Sequence, residues 1–157
     1  MTTTGHALGK EQGDAIWFLG TRMTVKAGSS ATNGAFTLIE AECPSGFAPP
    51  PHIHQIEDEA FYLLDGRIDV TCGADHWEVG PGGFVFLPKG IPHGFAVIGD
   101  TSARMLQFTT PGQFESFASE VGVPATGPGL PLPGAPDIPR LLAAAARYQI
   151  EILPPPH

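Results

Sequence analysis

Two short stretches of this 157-residue chain concentrate side chains that ligate metals. In the first, His52 and His54 are separated by one residue, and Glu59 follows five positions after His54. Residues two apart on an extended strand project to the same face, so both imidazoles would point the same way. In the second, Pro88, Gly90 and His93 fall close together, and His93 opens a run whose alternate residues Phe95 and Val97 share its face. Two imidazoles beside an inward carboxylate form a mixed nitrogen and oxygen donor set, a strong candidate for holding a divalent transition metal.

The elements that position these groups read as strands. Gly (20 residues) and Pro (17) interrupt nearly every window long enough for three helical turns over the first 110 residues. Aromatic and β-branched residues crowd Asp14 to Lys26, Gly34 to Ala41, Gly83 to Leu87, His93 to Ile98 and Ala103 to Thr109. In EAFYLLDGRIDVT, Asp65-Gly66 sits between two alternating runs and predicts a two-residue type I′ hairpin in which Leu63 opposes Ile68 and Phe61 opposes Val70. That register puts Glu59, Phe61, Leu63, Ile68 and Val70 on one inward face, where an acid among hydrocarbons requires a positive partner.

Further along, Thr110-Pro111-Gly112-Gln113 has the pattern of a capping box with Pro at the first helical position. Phe114, Phe117, Ala118 and Val121 follow at helical spacing, predicting a short helix that ends at Gly122 and packs its aromatic stripe on the strands. A Gly/Pro-rich connector over 122–137 leads to a second short helix, IPRLLAAAARY, and a strand-like ending, QIEIL. The expected organisation is a flexible N-terminus over 1–13, a β-barrel over 14–110, and a C-terminal helical segment and tail over 111–157 that pack on the barrel. His6 and His157 are expected in disordered ends and His76 in a solvated turn.

Composition excludes several classes. A net charge of -8 argues against a nucleic acid partner held by its phosphates. No run approaches a bilayer span and the start lacks a signal-like basic and apolar pair, so a cytoplasmic protein with no membrane partner is expected. Cys43 and Cys72 read as thiols, since a chain of this length buries enough surface without a disulfide.

The two metal-ligand stretches together resemble the signature motifs of the cupin superfamily, G-x5-H-x-H-x3/4-E-x6-G and G-x5-P-x-G-x2-H-x3-N. Gly46, His52, His54, Glu59 and Gly66 match the first; Gly82, Pro88, Gly90 and His93 match the second, and 15 residues separate Gly66 from Gly82. The last position of the second motif departs, with Val97 where the family has Asn. The resemblance implies an all-β double-stranded β-helix barrel with short C-terminal helices, in which His52, His54, Glu59 and His93 ligate one divalent metal. The hairpin, the TTPGQFE turn and the RYQIEIL ending are similar to small bacterial cupins related to quercetin 2,3-dioxygenase.

Three neutral imidazoles and one carboxylate on a dication leave a charge of about +1, which offsets the desolvation of Glu59 and attracts an enolate or phenolate. Fe, Mn, Ni, Co and Zn all suit this donor set. The expected function is a mononuclear metal enzyme that cleaves or transforms a small hydroxylated aromatic compound of flavonol or polyketide type, with dioxygen as co-substrate. Glu59 is the candidate base. Phe61, Leu63, Val70, Phe95 and Val97 are expected to line the substrate pocket, with Trp17, Met23, Phe36 and Gln107 weighed as mouth residues and assigned first to packing. A non-oxidative isomerase, cyclase or lyase, or a non-catalytic ligand-binding barrel, is the alternative. A homodimer is expected, with the strand from Ile16 to Leu19 pairing onto a second subunit.

Overall fold

Burial alternates along the strands with a period of two, and this sorts the chain into two facing sheets with the apolar positions between them. A computed structural model describes residues 3–154. In chain order the elements are β1 (Asp14–Phe18), β2 (Thr21–Ala27), α1 (Ser29–Thr32), β3 (Thr37–Cys43), β4 (His52–His54), β5 (Asp58–Asp65), β6 (Arg67–Cys72) and β7 (Asp75–Val79). There follow β8 (Phe84–Leu87), β9 (His93–Ile98), β10 (Ala103–Thr110), α2 (Phe114–Val121), β11 (Val123–Pro124), α3 (Ile138–Arg147) and β12 (Ile150–Ile152). A seven-stranded sheet has the order β11-β1-β2-β3-β10-β5-β8, and a five-stranded sheet the order β12-β4-β9-β6-β7, with antiparallel pairing throughout. The expected all-β barrel with short C-terminal helices is what the chain forms.

The predicted hairpin at Asp65-Gly66 does not form. β5 pairs with β10 and β8 in one sheet, whereas β6 pairs with β9 and β7 in the other. Asp65-Gly66 is a corner between the sheets. Only Leu19, Asn33 and Gln149 have positive φ among the described non-glycine residues, so Asp65 lacks the backbone a type I′ turn requires. Gly66 is at φ 77°, and a Cβ there would fall 2.6 Å from the Ser102 carbonyl oxygen. The predicted inward face survives, because alternation along each strand fixes it independently of pairing: Glu59, Phe61, Leu63, Ile68 and Val70 are all buried. A two-residue turn with both φ values positive occurs instead at Leu19-Gly20, joining β1 to β2.

Four other expectations are corrected. Gln113 caps α2 without a side-chain bond to the helix, and Pro111 precedes the helix, so the capping box is absent. The outer edge of β1 is taken in the same chain by β11, with Ile16 opposite Pro124 and Trp17 opposite Val123, which removes the edge assigned to a second subunit. His76 lies in β7, exposed, with Nε2 2.6 Å from Asp69 Oδ1. His6 Nε2 sits 2.7 Å from the Lys26 carbonyl, and Lys26 Nζ donates to the carbonyls of Lys10 and Gln12, so residues 6–12 lie against β2; His157 falls outside the described residues.

The C-terminal segment is built into the barrel. Asp137 caps α3 by accepting from the Arg140 backbone N–H, and α3 buries Leu141, Ala144 and Ala145. β12 then pairs with β4, with Ile150 opposite His54 and Ile152 opposite His52. Cys43 and Cys72 are buried free thiols, and among the described residues no helix is long and apolar enough to cross a membrane.

Candidate metal centre

The strand β4 is three residues long, and both histidines on it are fixed from two sides. β12 pairs along one edge, and on the other His52 lies opposite His93 of β9. Glu59 arrives from the facing sheet on β5, between Leu87 of β8 and Thr109 of β10. The ligand atoms of His52, His54, Glu59 and His93 all lie within 4.8 Å of one another. Glu59 Oε1 is 3.3 Å from His93 Nε2, and Glu59 Oε2 is 3.7 Å from His54 Nε2. Three of the four side chains are buried and His52 is partly so.

Each imidazole has an oxygen at Nδ1. His52 donates to the Pro50 carbonyl at 3.0 Å, His93 to the Ile91 carbonyl at 3.1 Å, and His54 faces Glu57 Oε2 at 3.2 Å. A carbonyl only accepts, so the proton of His52 and of His93 belongs on Nδ1 and the Nε2 lone pair is free. Among the described residues, Nε2 of His54 and of His93 are buried without a hydrogen-bond partner. Orphaned lone pairs aimed at a shared point, beside a carboxylate, are what a cation would satisfy. The cluster is suited to hold a metal ion.

The electrostatics agree. Burial pushes His52 down to about 4, with the neighbouring His93 adding to the effect, so this imidazole is neutral at physiological pH and ready to ligate. Burial alone would raise the Glu59 carboxyl, but His54 and His93 outweigh it and hold it near 2. For His54, burial opposes protonation and is overcome by Glu59 and Glu57, which raise it.

Gln107 on β10 donates from Nε2 to Glu59 Oε2 at 2.9 Å and so fixes the carboxylate's rotation. Glu57, which sequence reasoning missed, is fully buried and bridges His54 to the Gln113 side chain; Gln113 Nε2 also donates to the Tyr148 carbonyl at 3.3 Å. The only available signal was an acid in the loop between His54 and Glu59, in a run where acids are ordinarily solvated.

The cluster opens into a cavity of about 70 Å³. Phe61 and Phe95 line it as expected, and so do Met23 and Gln107. Leu63, Val70 and Val97 do not: they are 0%, 0% and 4% exposed and pack in the core behind the cavity. Trp17 and Phe36 also lie elsewhere; Trp17 Nε1 donates to Gly129, and Phe36 stacks on Phe108 outside the barrel. The C-terminal segment supplies one further wall through Phe114, Phe117, Leu141, Ile150 and Ile152, and Phe18, Leu19, Phe47 and Pro50 contribute another. Cys43 also lines the cavity, but burial pushes its thiol up to about 12, so it remains protonated and unreactive. No Lys or Arg is among the lining residues.

Residues 40–109 match the cupin domain family, and this span carries all four clustered ligands. The barrel has the cupin fold. Over 132 residues the chain is 26% identical to quercetin 2,3-dioxygenase of Bacillus subtilis, an alignment covering 83% of this chain and 39% of that enzyme. Two further curated relatives are spanned to 56% and 52% of their length, so the chain matches about half or less of each. Among solved structures, an RmlC-like cupin from Shewanella frigidimarina superposes with a TM-score of 0.62 at 16% identity, covering 74% of this chain and 99% of that one. An oxalate oxidase in complex with glycolate superposes at 0.51 with 22% identity, covering 60% and 54%. These likenesses establish the cupin fold.

Proposed function

We propose that this cupin is a mononuclear metal-dependent enzyme that binds a small enolisable or hydroxylated aromatic compound as an anion and transforms it in a dioxygenase-like reaction. One observation carries the reading: the lone pairs of His54 and His93 converge beside Glu59, and His52, His54 and Glu59 line a cavity walled mostly by carbon, without a Lys or Arg. Oxalate or another dicarboxylate held by one end would leave its second carboxylate among Phe61, Phe95 and Phe114 with no cation to meet it. An enolate or phenolate presents one charged end and an apolar body, which is what these walls accept. The likeness to quercetin 2,3-dioxygenase supports the same class of substrate.

When bound, a divalent metal would be held by His52, His54, Glu59 and His93 and would supply Lewis acidity and, if redox-active, a site for dioxygen. The protein's own residues do the rest. Gln107 donates to Glu59 Oε2 and keeps the carboxylate from swinging into the space the substrate uses. Held near 2, Glu59 is a ligand first and a base only toward a hydroxyl already acidified at the centre. Phe61, Phe95 and Phe114 exclude water from that end.

Size refines the substrate. Pockets for drug-sized ligands measure roughly 300–1,000 Å³, and 70 Å³ admits the reacting ring or enol but not a whole flavonol. The test is metal analysis of protein purified without chelators, followed by dioxygen uptake with small phenols, 1,3-diketones, quercetin and oxalate. One metal per chain and uptake with the phenols or diketones, none with oxalate, is expected. A metal-replete protein that consumes dioxygen with none of them overturns the dioxygenase reading.

A further inference from the structure

A second apolar space adjoins the first. A surface groove of about 390 Å³ shares Leu19, Phe47, Pro49, Pro50 and Leu141 with the cavity, so the two abut across these side chains. Its far side presents Val123, Leu132 and Ile138, which are 50%, 92% and 47% exposed. Asp137 is the one ionisable residue lining it, and that carboxylate accepts from the Arg140 N–H at the start of α3. The outer bank of the groove is the Gly/Pro-rich connector, and it is pinned. Arg22 Nη1 donates to the carbonyls of Gly127 and Gly129 at 2.7 and 3.1 Å, and Trp17 Nε1 to Gly129 at 3.0 Å.

An exposed apolar groove held in shape and separated from a candidate active cavity only by shared side chains suits an occupant that also reaches the cavity. We infer that the substrate is a head-and-tail molecule, with an enolisable or phenolic head beside the histidines and an unbranched aliphatic tail running past Phe47 and Leu141 into the groove. This rests on the reading above and supplies what that reading lacked: the small cavity takes the head alone. An anionic membrane surface is a poor occupant, since the groove lining offers no Lys or Arg and the chain carries a net charge of -8.

The experiment titrates cobalt(II)-loaded protein with acetylacetone and with homologues lengthened by successive methylenes, reading the visible spectrum of the metal. A second readout uses metal-free protein carrying Trp77→Phe, in which Trp17, in the groove lining, is the remaining tryptophan. Affinity is expected to rise roughly three- to fourfold per methylene until the groove is filled. Trp17 emission should respond to the long homologues and not to acetylacetone. Val123→Asp with Leu132→Asp, both at exposed positions, should abolish the gain with length and leave acetylacetone binding unchanged. A flat series with a silent Trp17, while acetylacetone still binds, overturns the tail site alone. Failure of every diketone to perturb the cobalt spectrum overturns the tail site together with the reading of the head. A wild-type dimer that the double variant converts to monomer would assign the groove to a second copy of the chain, and would overturn the inference as well.

Discussion

At the ligand cluster each imidazole Nδ1 meets an oxygen 3.0–3.2 Å away, and Gln107 donates to Glu59 at 2.9 Å. Against it, the wall formed by Phe114, Phe117, Leu141, Ile150 and Ile152 presents only carbon. The cluster comes from residues 52–93, whereas this wall comes from 114–152, with residues of 18–50 lining the rest of the cavity. Polar ligands demand defined directions, so their positions tolerate little change; a hydrocarbon wall is selected by volume and tolerates substitution of similar size. On the proposed function, the chemistry belongs to the barrel, and the C-terminal segment shares the choice of substrate with Phe18, Leu19, Phe47 and Pro50.

Removing one ligand should separate the two ends most sharply. His93→Ala is expected to weaken metal binding on the order of a hundred- to a thousandfold, about one ligand's share of a structural-site affinity, while the melt of the metal-free protein moves little. Competition against a chelating dye measures it. If the affinity is unchanged, the cluster is not the metal site.

The opposite result is expected at the wall. Leu141 is 3% exposed, and Leu141→Ala should cost about 2–3 kcal/mol of stability, near the lower end for buried leucines because it already borders a cavity. Metal affinity should stay within about tenfold of wild type. Denaturant unfolding alongside metal titration checks both, and a metal affinity that falls with the stability would show that wall and centre are one unit.

Glu57 is the point where that separation is weakest, because its carboxylate receives both His54 Nδ1 and the Gln113 side chain, which reaches on to Tyr148. In Glu57→Gln one amide oxygen must replace two acceptors, leaving a buried donor unpaired. Metal affinity should fall roughly ten- to a hundredfold, as for other groups that orient a ligand. Gln113→Ala, which leaves the Glu57–His54 contact in place, should have a smaller effect on the same titration. Equal losses would mean that the wall positions the ligand.

The ligands were legible in the sequence because their spacing is a chemical constraint: alternation puts His52 and His54 on one face, and Glu59, Phe61 and Leu63 inward, whatever the strands pair with. The pairing itself was not legible. Asp65-Gly66 satisfies the local pattern of a tight hairpin, yet the corner is decided by β10 and β9 claiming β5 and β6 from opposite sheets, information spread across more than 30 residues of chain. The pocket was half legible for the same reason. Inward direction follows from alternation, but whether an inward residue meets the cavity, as Phe61 does, or the packed core, as Leu63 does, depends on depth along the barrel. Glu57 was illegible because burial of an acid in a loop is a tertiary fact.

The seam between wall and barrel gives the smallest effect. Glu115, in the first turn of α2, accepts from the Ser29 N–H at 2.6 Å, from the Ser29 hydroxyl, and from the Thr37 hydroxyl at 2.5 Å, tying the helix to α1 and β3. Burial works against the charge, but these donors outweigh it and hold the carboxyl below its ordinary 4.5. A carboxyl lowered by folding stabilises the folded state above its unfolded value, and that contribution disappears as the pH falls through 4.5 toward the folded value. Glu115 is partly exposed, so the contribution is modest: Glu115→Gln should lower Tm by about 2–4 °C at pH 7, and the gap from wild type should close on acidification to pH 3. Thermal melts across that range decide it. A gap that persists at pH 3 would mean that shape rather than charge holds the wall to the barrel, and the cavity's outer side would then be as pH-insensitive as its packing.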